Sequence, residues 1–295
     1  MMGLQRILSS PYIHQMRPRQ YAKNAFIFAP LIFDRQLFHP HSLLITFLGF
    51  ITLCILSSGV YVLNDIVDVN ADRNHPQKKY RPIASGKISI RNAKLFCTAL
   101  FAIAFLMAFF IDRTFLLLCF LMLLINLAYS FKLKHIPLID IITIGILFLL
   151  RVYSGAVLIR VKIFSPWLYI VTFMLALYLG FGKRRTELAS LEGTQNTTRP
   201  VLDGYTIPFL DQLISIISAV IIMSYALYTF SGPAVPSNNR MLLTIPFVVY
   251  GIFRYLYLLQ VKHQGGAPEE VLLSDRWLQG TIILYAISVI FALYL

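Results

Sequence analysis

The sequence predicts an all-α membrane protein: about nine transmembrane helices in one polytopic bundle. Three observations carry that expectation. The chain of 295 residues is 58% hydrophobic and only 13% charged, with a mean hydropathy of +0.71, outside the range of an ordinary water-soluble domain. Apolar runs recur along the whole length, several of them reaching the roughly 20 helical residues needed to cross a bilayer. Cations gather on alternate connections between those runs, as membrane topology requires. The net charge of +13 follows from that bias; with no soluble domain to carry a basic face, nucleic acid is not an expected partner. No internal repeat or low-complexity segment is evident, so residues 1–295 read as one domain.

In chain order, the first span, 19–38, has the shortest apolar run: "NAFIFAPLIF" contains Pro30, so the crossing needs its flanks. The residues before Asn24 hold no continuous apolar stretch, and no cleavable signal is expected there. The second span, 42–68, is uncharged until it reaches Asp65. The third and fourth, 90–111 and 114–130, are divided by Asp112 and Arg113. The fifth, 137–159, opens on Pro137 and encloses Asp140 and Arg151; the sixth, 163–184, runs into Lys183, Arg184 and Arg185. The seventh, 207–231, the eighth, 241–261, which contains Arg254, and the ninth, 276–295, complete the bundle. Nine crossings put 19 cations on the side of the first residues and the loops after even-numbered spans, against five opposite. The richer side is expected to be cytoplasmic. Cys54, Cys97 and Cys119 lie in apolar spans without metal-ligand spacing and read as small packing residues.

The stretch "YVLNDIVDVNADRNHPQKKYRP", 61–82, ends the second span in acid and continues in cations. On a helix of 100° per residue with Asn64 as origin, Asp68, Asp72 and Asp65 fall at about 40°, 80° and 100°. If the helix persists that far, one arc holds an amide and three carboxylates while Arg73 faces away. Acids at a membrane rim are costly, and like charges a turn apart repel, so something cationic must neutralise them. Arg81, Lys78 or Lys79 folding back would do so, and Asp72 opening a solvated loop would relieve the rest. A hard divalent cation that takes several oxygens fits the spacing better. Mg²⁺ fits better than Zn²⁺, since no His or Cys set accompanies the oxygens and His75 alone reads as a loop residue. Mg²⁺ held by few carboxylates completes its shell with phosphate and water, which makes a diphosphate the simplest substrate class.

The pattern N-D-x-x-D-x-x-x-D (Asn64, Asp65, Asp68, Asp72), followed by "HPQKKYRPIASG", resembles the UbiA-type superfamily of polytopic prenyltransferases. As a set, "RPRQYAKNAFIFAP", "YSFKLKHIPLIDI", "LRVYSGA", "FGKRRTEL", "RYLYLL" and "PEEVLLSDR" resemble its decaprenyl-phosphate phosphoribosyltransferase branch, over nearly the whole chain. The resemblance implies a UbiA-like bundle with a cytoplasmic-side active-site cavity, in a multi-pass protein of the plasma (bacterial inner) membrane. It implies Mg²⁺ as cofactor, phosphoribosyl diphosphate as donor and a polyprenyl phosphate as acceptor; a homo-oligomer is compatible with it. Carried onto the matching positions, it makes Asn64, Asp68 and Asp72 the metal ligands and Asp65, Asp68, Asp72 and Asp140 the catalytic acids. Arg17, Lys23, Lys78, Arg81, Tyr129, Lys134, Arg151, Lys183, Arg184 and Glu187 become the substrate-binding set.

Typical prenyl-transferring relatives carry a second Asp-rich motif after the sixth span, whereas this chain reads "GKRRTELASLEG", a basic loop suited to direct phosphate contacts. Topology alone would also place Lys183, Arg184 and Arg185 there, and Lys132 and Lys134 could snorkel from a helix end. Asp140, just inside a span, needs a partner, for which Lys134 or Lys183 would serve. Arg151, eleven residues on, points within about 20° of it, so the pair should line a polar interior. Arg254 and Tyr255 are weaker candidates for a lipid phosphate. An aromatic-acceptor prenyltransferase of the same superfamily is the nearest alternative function. A transporter would also account for intramembrane Asp and Arg, though not for polar motifs clustered at one end.

Overall fold

The computed structural model describes residues 10–190, 200–262, 271–272 and 274–295. Arg6, Glu192, Arg199 and part of "PEEVLLSDR" lie outside them. The described residues contain eight helices long and apolar enough to span a membrane. In chain order the helices are α1 (Pro11–Met16), α2 (Ala29–Phe33), α3 (Pro40–Val67), α4 (Val69–Asn74), α5 (Ile90–Ile111), α6 (Arg113–Phe131), α7 (Ile139–Leu158), α8 (Pro166–Ala189), α9 (Ile207–Ser231), α10 (Ile245–Gln260) and α11 (Arg276–Tyr294).

The short first span takes an unusual form. Residues Pro18–Phe28 wind as a 3₁₀ helix and pass directly into α2. At about 2.0 Å per 3₁₀ residue and 1.5 Å per α residue, this 16-residue run reaches about 30 Å, the thickness of the hydrocarbon layer. Its period of three is visible in its burial, since Asn24, Ile27 and Pro30 all face the bundle. It packs against α3 and α7 so closely that a Cβ on Gly155 of α7 would collide with the Ile27 carbonyl oxygen. Only glycine fits there.

α3 has 28 residues and is therefore about 42 Å long, longer than the apolar layer, so its last turns, with Asn64 and Asp65, emerge at the rim. The most extensive helix pairings are α3 with α5 and α8 with α9, while α7 runs through the middle. α7 contributes Leu147 and Leu158 to a core shared with α3, α5 and α6, and Ile141 to another shared with α8, α9 and α10. The outer faces of α5 and α6 present Leu95, Leu106, Phe110 and Leu117, as expected of helices that meet lipid. Ser89, Asp112, Ser165 and Thr206 cap helix N-termini through their side chains, satisfying backbone donors that the bilayer would leave unpaired.

Candidate active site

The acid stripe does not ride on one helix. α3 ends at Asp68, whose φ of −88° and ψ of 7° leave the helical range, and α4 restarts at Val69. The break divides the four residues. Asp65 and Asp72 are buried and converge on one guanidinium: Arg81 Nη1 donates to Asp65 Oδ1 at 3.0 Å and to Asp72 Oδ2 at 2.7 Å. Asp65 also accepts from Arg17 Nη2 at 2.7 and 2.9 Å and from Gln15 Nε2 at 2.7 Å. Asp68 turns outward, its side chain 43% exposed, with Lys134 Nζ 3.9 Å away. Asn64 Oδ1 accepts from Ser130 Oγ on α6 at 2.7 Å, and Lys78 Nζ stands 4.0 Å from Asp72 Oδ1. Arg17 occupies the left-handed region at φ +55°, in the joint between α1 and the 3₁₀ run; its guanidinium also lies 5.1 Å from the Tyr61 ring centre. Folding back by Arg81 and Lys78 therefore does neutralise the buried acids. His75 is a turn residue whose Nδ1 accepts from the backbone of Gln77 and Lys78. Among the described residues no three His, Cys, Asp or Glu side chains form a ready-made metal cage.

A second ionic group lies where α7 and α8 meet. Asp140 is fully buried and accepts from Arg184 Nε at 2.9 Å and from the Tyr205 hydroxyl at 2.8 Å. Arg184 Nη1 donates to Glu187 at 2.7 Å, and Tyr205 in turn accepts from the Leu138 backbone N–H at 2.6 Å. Burial raises the Tyr205 phenol above its ordinary pKa and the bond to Asp140 adds to the rise, so the hydroxyl remains a donor at neutral pH. The partner of Asp140 is thus Arg184, rather than Lys134 or Lys183: the arginine is one residue further along α8 than the lysine, and its guanidinium matches two carboxylates at once.

The expected basic loop is also less free than its sequence suggests. Arg185 is held by Asp211 at 2.6 and 3.3 Å and donates to the Leu259 carbonyl, tying α8 to α9 and α10. Lys183, half-buried, has no ion pair among the described residues. Tyr129 lies within electrostatic range of Arg184, and Lys23 is half-buried on the 3₁₀ run. Arg151 is buried away from Asp140, its Nε bonded to Asn24 Oδ1 at 2.9 Å. Arg254 is engaged by Asp275 at 2.7 Å, which accounts for it without a lipid phosphate. Sequence reasoning missed Gln15, Ser130 and Tyr205, which no pattern marks. It also missed Asp211, which an acid inside a span should have flagged.

Between the 3₁₀ run and α11 an apolar cleft of about 300 Å³ is lined by Ala25, Phe26, Ile32, Tyr285 and Val289, among others.

Comparison with known proteins agrees with this architecture. A decaprenyl-phosphate phosphoribosyltransferase from Corynebacterium glutamicum is 31% identical, over 98% of this chain and 88% of its own length. The enzyme of that name from Mycolicibacterium smegmatis is 30% identical over 94% and 90%. A UbiA homologue from Archaeoglobus fulgidus, solved with GPP and Mg²⁺, superposes with a TM-score of 0.72 over 96% of this chain and 98% of its own, at 20% identity. The model of the UbiA prenyltransferase family matches residues 25–274, and the chain belongs to that family of membrane-bound transferases.

Proposed function

We propose that the protein transfers 5-phosphoribose from phosphoribosyl diphosphate to a polyprenyl phosphate, with Mg²⁺, releasing pyrophosphate. The observation that carries this reading is the pairing of the buried Asp65 and Asp72 with arginines that keep access to solvent: the side chains of Arg17 and Arg81 are 30% and 28% exposed. Such charges can be exchanged. An incoming diphosphate attracts the guanidiniums as strongly as the carboxylates do, and a divalent cation arriving with it replaces Arg81 at Asp72. The polyprenyl-phosphate acceptor and the phosphoribosyl group transferred follow the names of the relatives; phosphoribosyl diphosphate as the donor is inferred from the diphosphate-binding chemistry of the acid motif.

Mg²⁺ accompanies GPP in the A. fulgidus homologue, and the residues at this site fit it. Asp68, Asn64 and Asp72 offer hard oxygens; Arg81 bonds Asp72 through Oδ2, while Lys78 Nζ stands 4.0 Å from Oδ1. One or two carboxylates completed by phosphate oxygens suffice for Mg²⁺. Asn64, Asp68 and Asp72 would hold the ion, which when bound neutralises charge on the leaving diphosphate. Asp65 is then a positioning residue that keeps Arg17 and Arg81 within reach. These arginines and Lys78 stabilise the pyrophosphate as it takes the electron pair of the breaking C1–O bond. An oxygen of the acceptor phosphate, already anionic, forms the new bond to C1, so no general base is required. Lys134 and Lys183 are assigned to the remaining phosphate of the donor, with Lys23 beside the diphosphate. The Asp140–Arg184–Glu187 group braces α7 against α8, and the apolar cleft between the 3₁₀ run and α11 gives an isoprenoid chain a place at the side of the bundle. The donor is charged and cannot cross a bilayer, so the site must open to the side where it is made. The charge bias makes that side the cytoplasmic face of the plasma (inner) membrane.

Incubating purified protein with labelled phosphoribosyl diphosphate and polyprenyl phosphates of several lengths tests the reading. Label should enter the lipid phase with release of pyrophosphate, and EDTA should abolish both. Product formed only from an isoprenyl diphosphate and an aromatic acceptor would replace this reaction with prenyl transfer. Unaltered donor moved across vesicles would replace it with transport.

A further inference from the structure

One buried guanidinium has no acid of its own. Arg151 on α7 is 9% exposed, and among the described residues no carboxylate lies within ion-pair distance of it. The other buried arginines, Arg184 and Arg185, are each matched by a carboxylate. The partners of Arg151 are neutral: Asn24 Oδ1 at 2.9 Å and the face of Phe148, with the ring centre 5.2 Å away. Asn24 is itself fixed, its Nδ2 directed at Ser57 Oγ, 3.3 Å, and Cys54 Sγ, 3.5 Å. A full charge inside a membrane bundle is not repaid by one amide and one ring; an anion brought from outside the chain would complete it.

The position of this cation says which anion. Arg151 lies about 16 Å along α7 from Asp140, and Ser57 about 12 Å along α3 from Asp65, so the group sits below the acid motif, within the bundle. Long side chains on a helix lean toward its N-terminus, which for α7 is the motif end, so Arg151 reaches up toward the site. Tyr61, whose ring lies under the Arg17 guanidinium, is within electrostatic range of Arg151. Arg17, Tyr61 and Arg151 thus descend in a column from the diphosphate end into the interior. On the other side, Ala25 and Phe26, next to Asn24 in sequence, line the apolar cleft.

We propose that Arg151, held by Asn24, binds the phosphate head of the isoprenoid acceptor, presenting it to the face of the ribose opposite the departing diphosphate. This rests on the transfer reaction above and adds where its second substrate is recognised: by a charge below the donor, bonded to Asn24 of the 3₁₀ run, whose neighbouring residues line the apolar cleft. The recognised chemistry is a lipid-borne phosphate monoester.

Asn24→Asp is the decisive variant, because it gives Arg151 an acid of its own while changing only an amide nitrogen into an oxygen. The ligand-free variant should melt at or above the wild-type temperature. The KM for farnesyl phosphate should rise about tenfold or more, the scale of a lost charged hydrogen bond. Calorimetric affinity for phosphoribosyl diphosphate with Mg²⁺ should stay within about twofold. Arg151→Gln should shift the lipid KM in the same direction. An unchanged lipid KM in Asn24→Asp overturns the proposal, since a merely structural arginine would accept the new carboxylate without cost to the acceptor. If wild-type protein forms no lipid-linked ribose, the transfer reading fails separately, and binding decides the phosphate site. Farnesyl phosphate, but not farnesol, should then raise the melting temperature of wild type and not of Asn24→Asp; equal stabilisation of both proteins, or of neither, overturns it.

Discussion

Two of the carboxylate–guanidinium groups differ in one respect that matters. At the end of α3, Asp65 and Asp72 are buried but their arginines are about 30% exposed. Between α7 and α8, Asp140 is fully buried and the Arg184 side chain is only 5% exposed. In the first group the cations stay solvated as they trade a carboxylate for a phosphate, and a divalent ion can take the place of Arg81 at Asp72. In the second, removing either partner strands its mate inside the bundle. The exposure of the cation, more than the depth of the acid, separates a group suited to meeting substrate from one suited to holding helices together.

The largest expected effect tests the second group. Asp140→Asn leaves Arg184 with Glu187 alone and should cost about 3–5 kcal/mol of stability, read as a fall in melting temperature in detergent; a melting temperature equal to wild type would erase the distinction. Next, Asp72→Asn should lower transfer at least about a hundredfold in the labelled-donor assay while the protein melts near the wild-type temperature, since Arg81 keeps Asp65. The smallest effect comes from a third pair, at the start of α11. Arg254→Gln should leave transfer within about threefold of wild type. The hydrogen bond from Arg254 holds the Asp275 carboxyl below the usual carboxylate range, so this pair contributes stability above the ordinary carboxylate pKa of about 3.9 and loses it as pH falls through the depressed value. The difference in melting temperature between variant and wild type should therefore be present at neutral pH and close in acid.

Hydropathy revealed the eight long helices because lipid imposes one requirement on every outward residue. The acid motif was legible as a stripe, and Asp65 and Asp72, which the wheel places about 20° apart, share Arg81 in the structure. The condition that the helix persist to Asp72 is not met, because the chain turns at Asp68, and no residue type there announces the turn. The partner of Asp140 was misassigned for a related reason: adjacent residues on a helix point 100° apart, so choosing between Lys183 and Arg184 requires the rotation of α8 about its axis, which only its neighbours set. Tyr205 enters from beyond a long connection, and no local pattern predicts that meeting.

The coil that begins at Pro18 has an exacting geometry. With three residues in each turn, its inward side chains stand in a straight file rather than a slanting one, so Tyr21, Asn24 and Ile27 act like teeth on a ratchet bar set against α3 and α7. Shortening the bar by a single residue would swing everything beyond the cut by about 120° and draw it back by about 2 Å, unseating Asn24 or Ile27. Replacing the outward Ala22 would disturb neither. For this segment, length is the stricter constraint than composition.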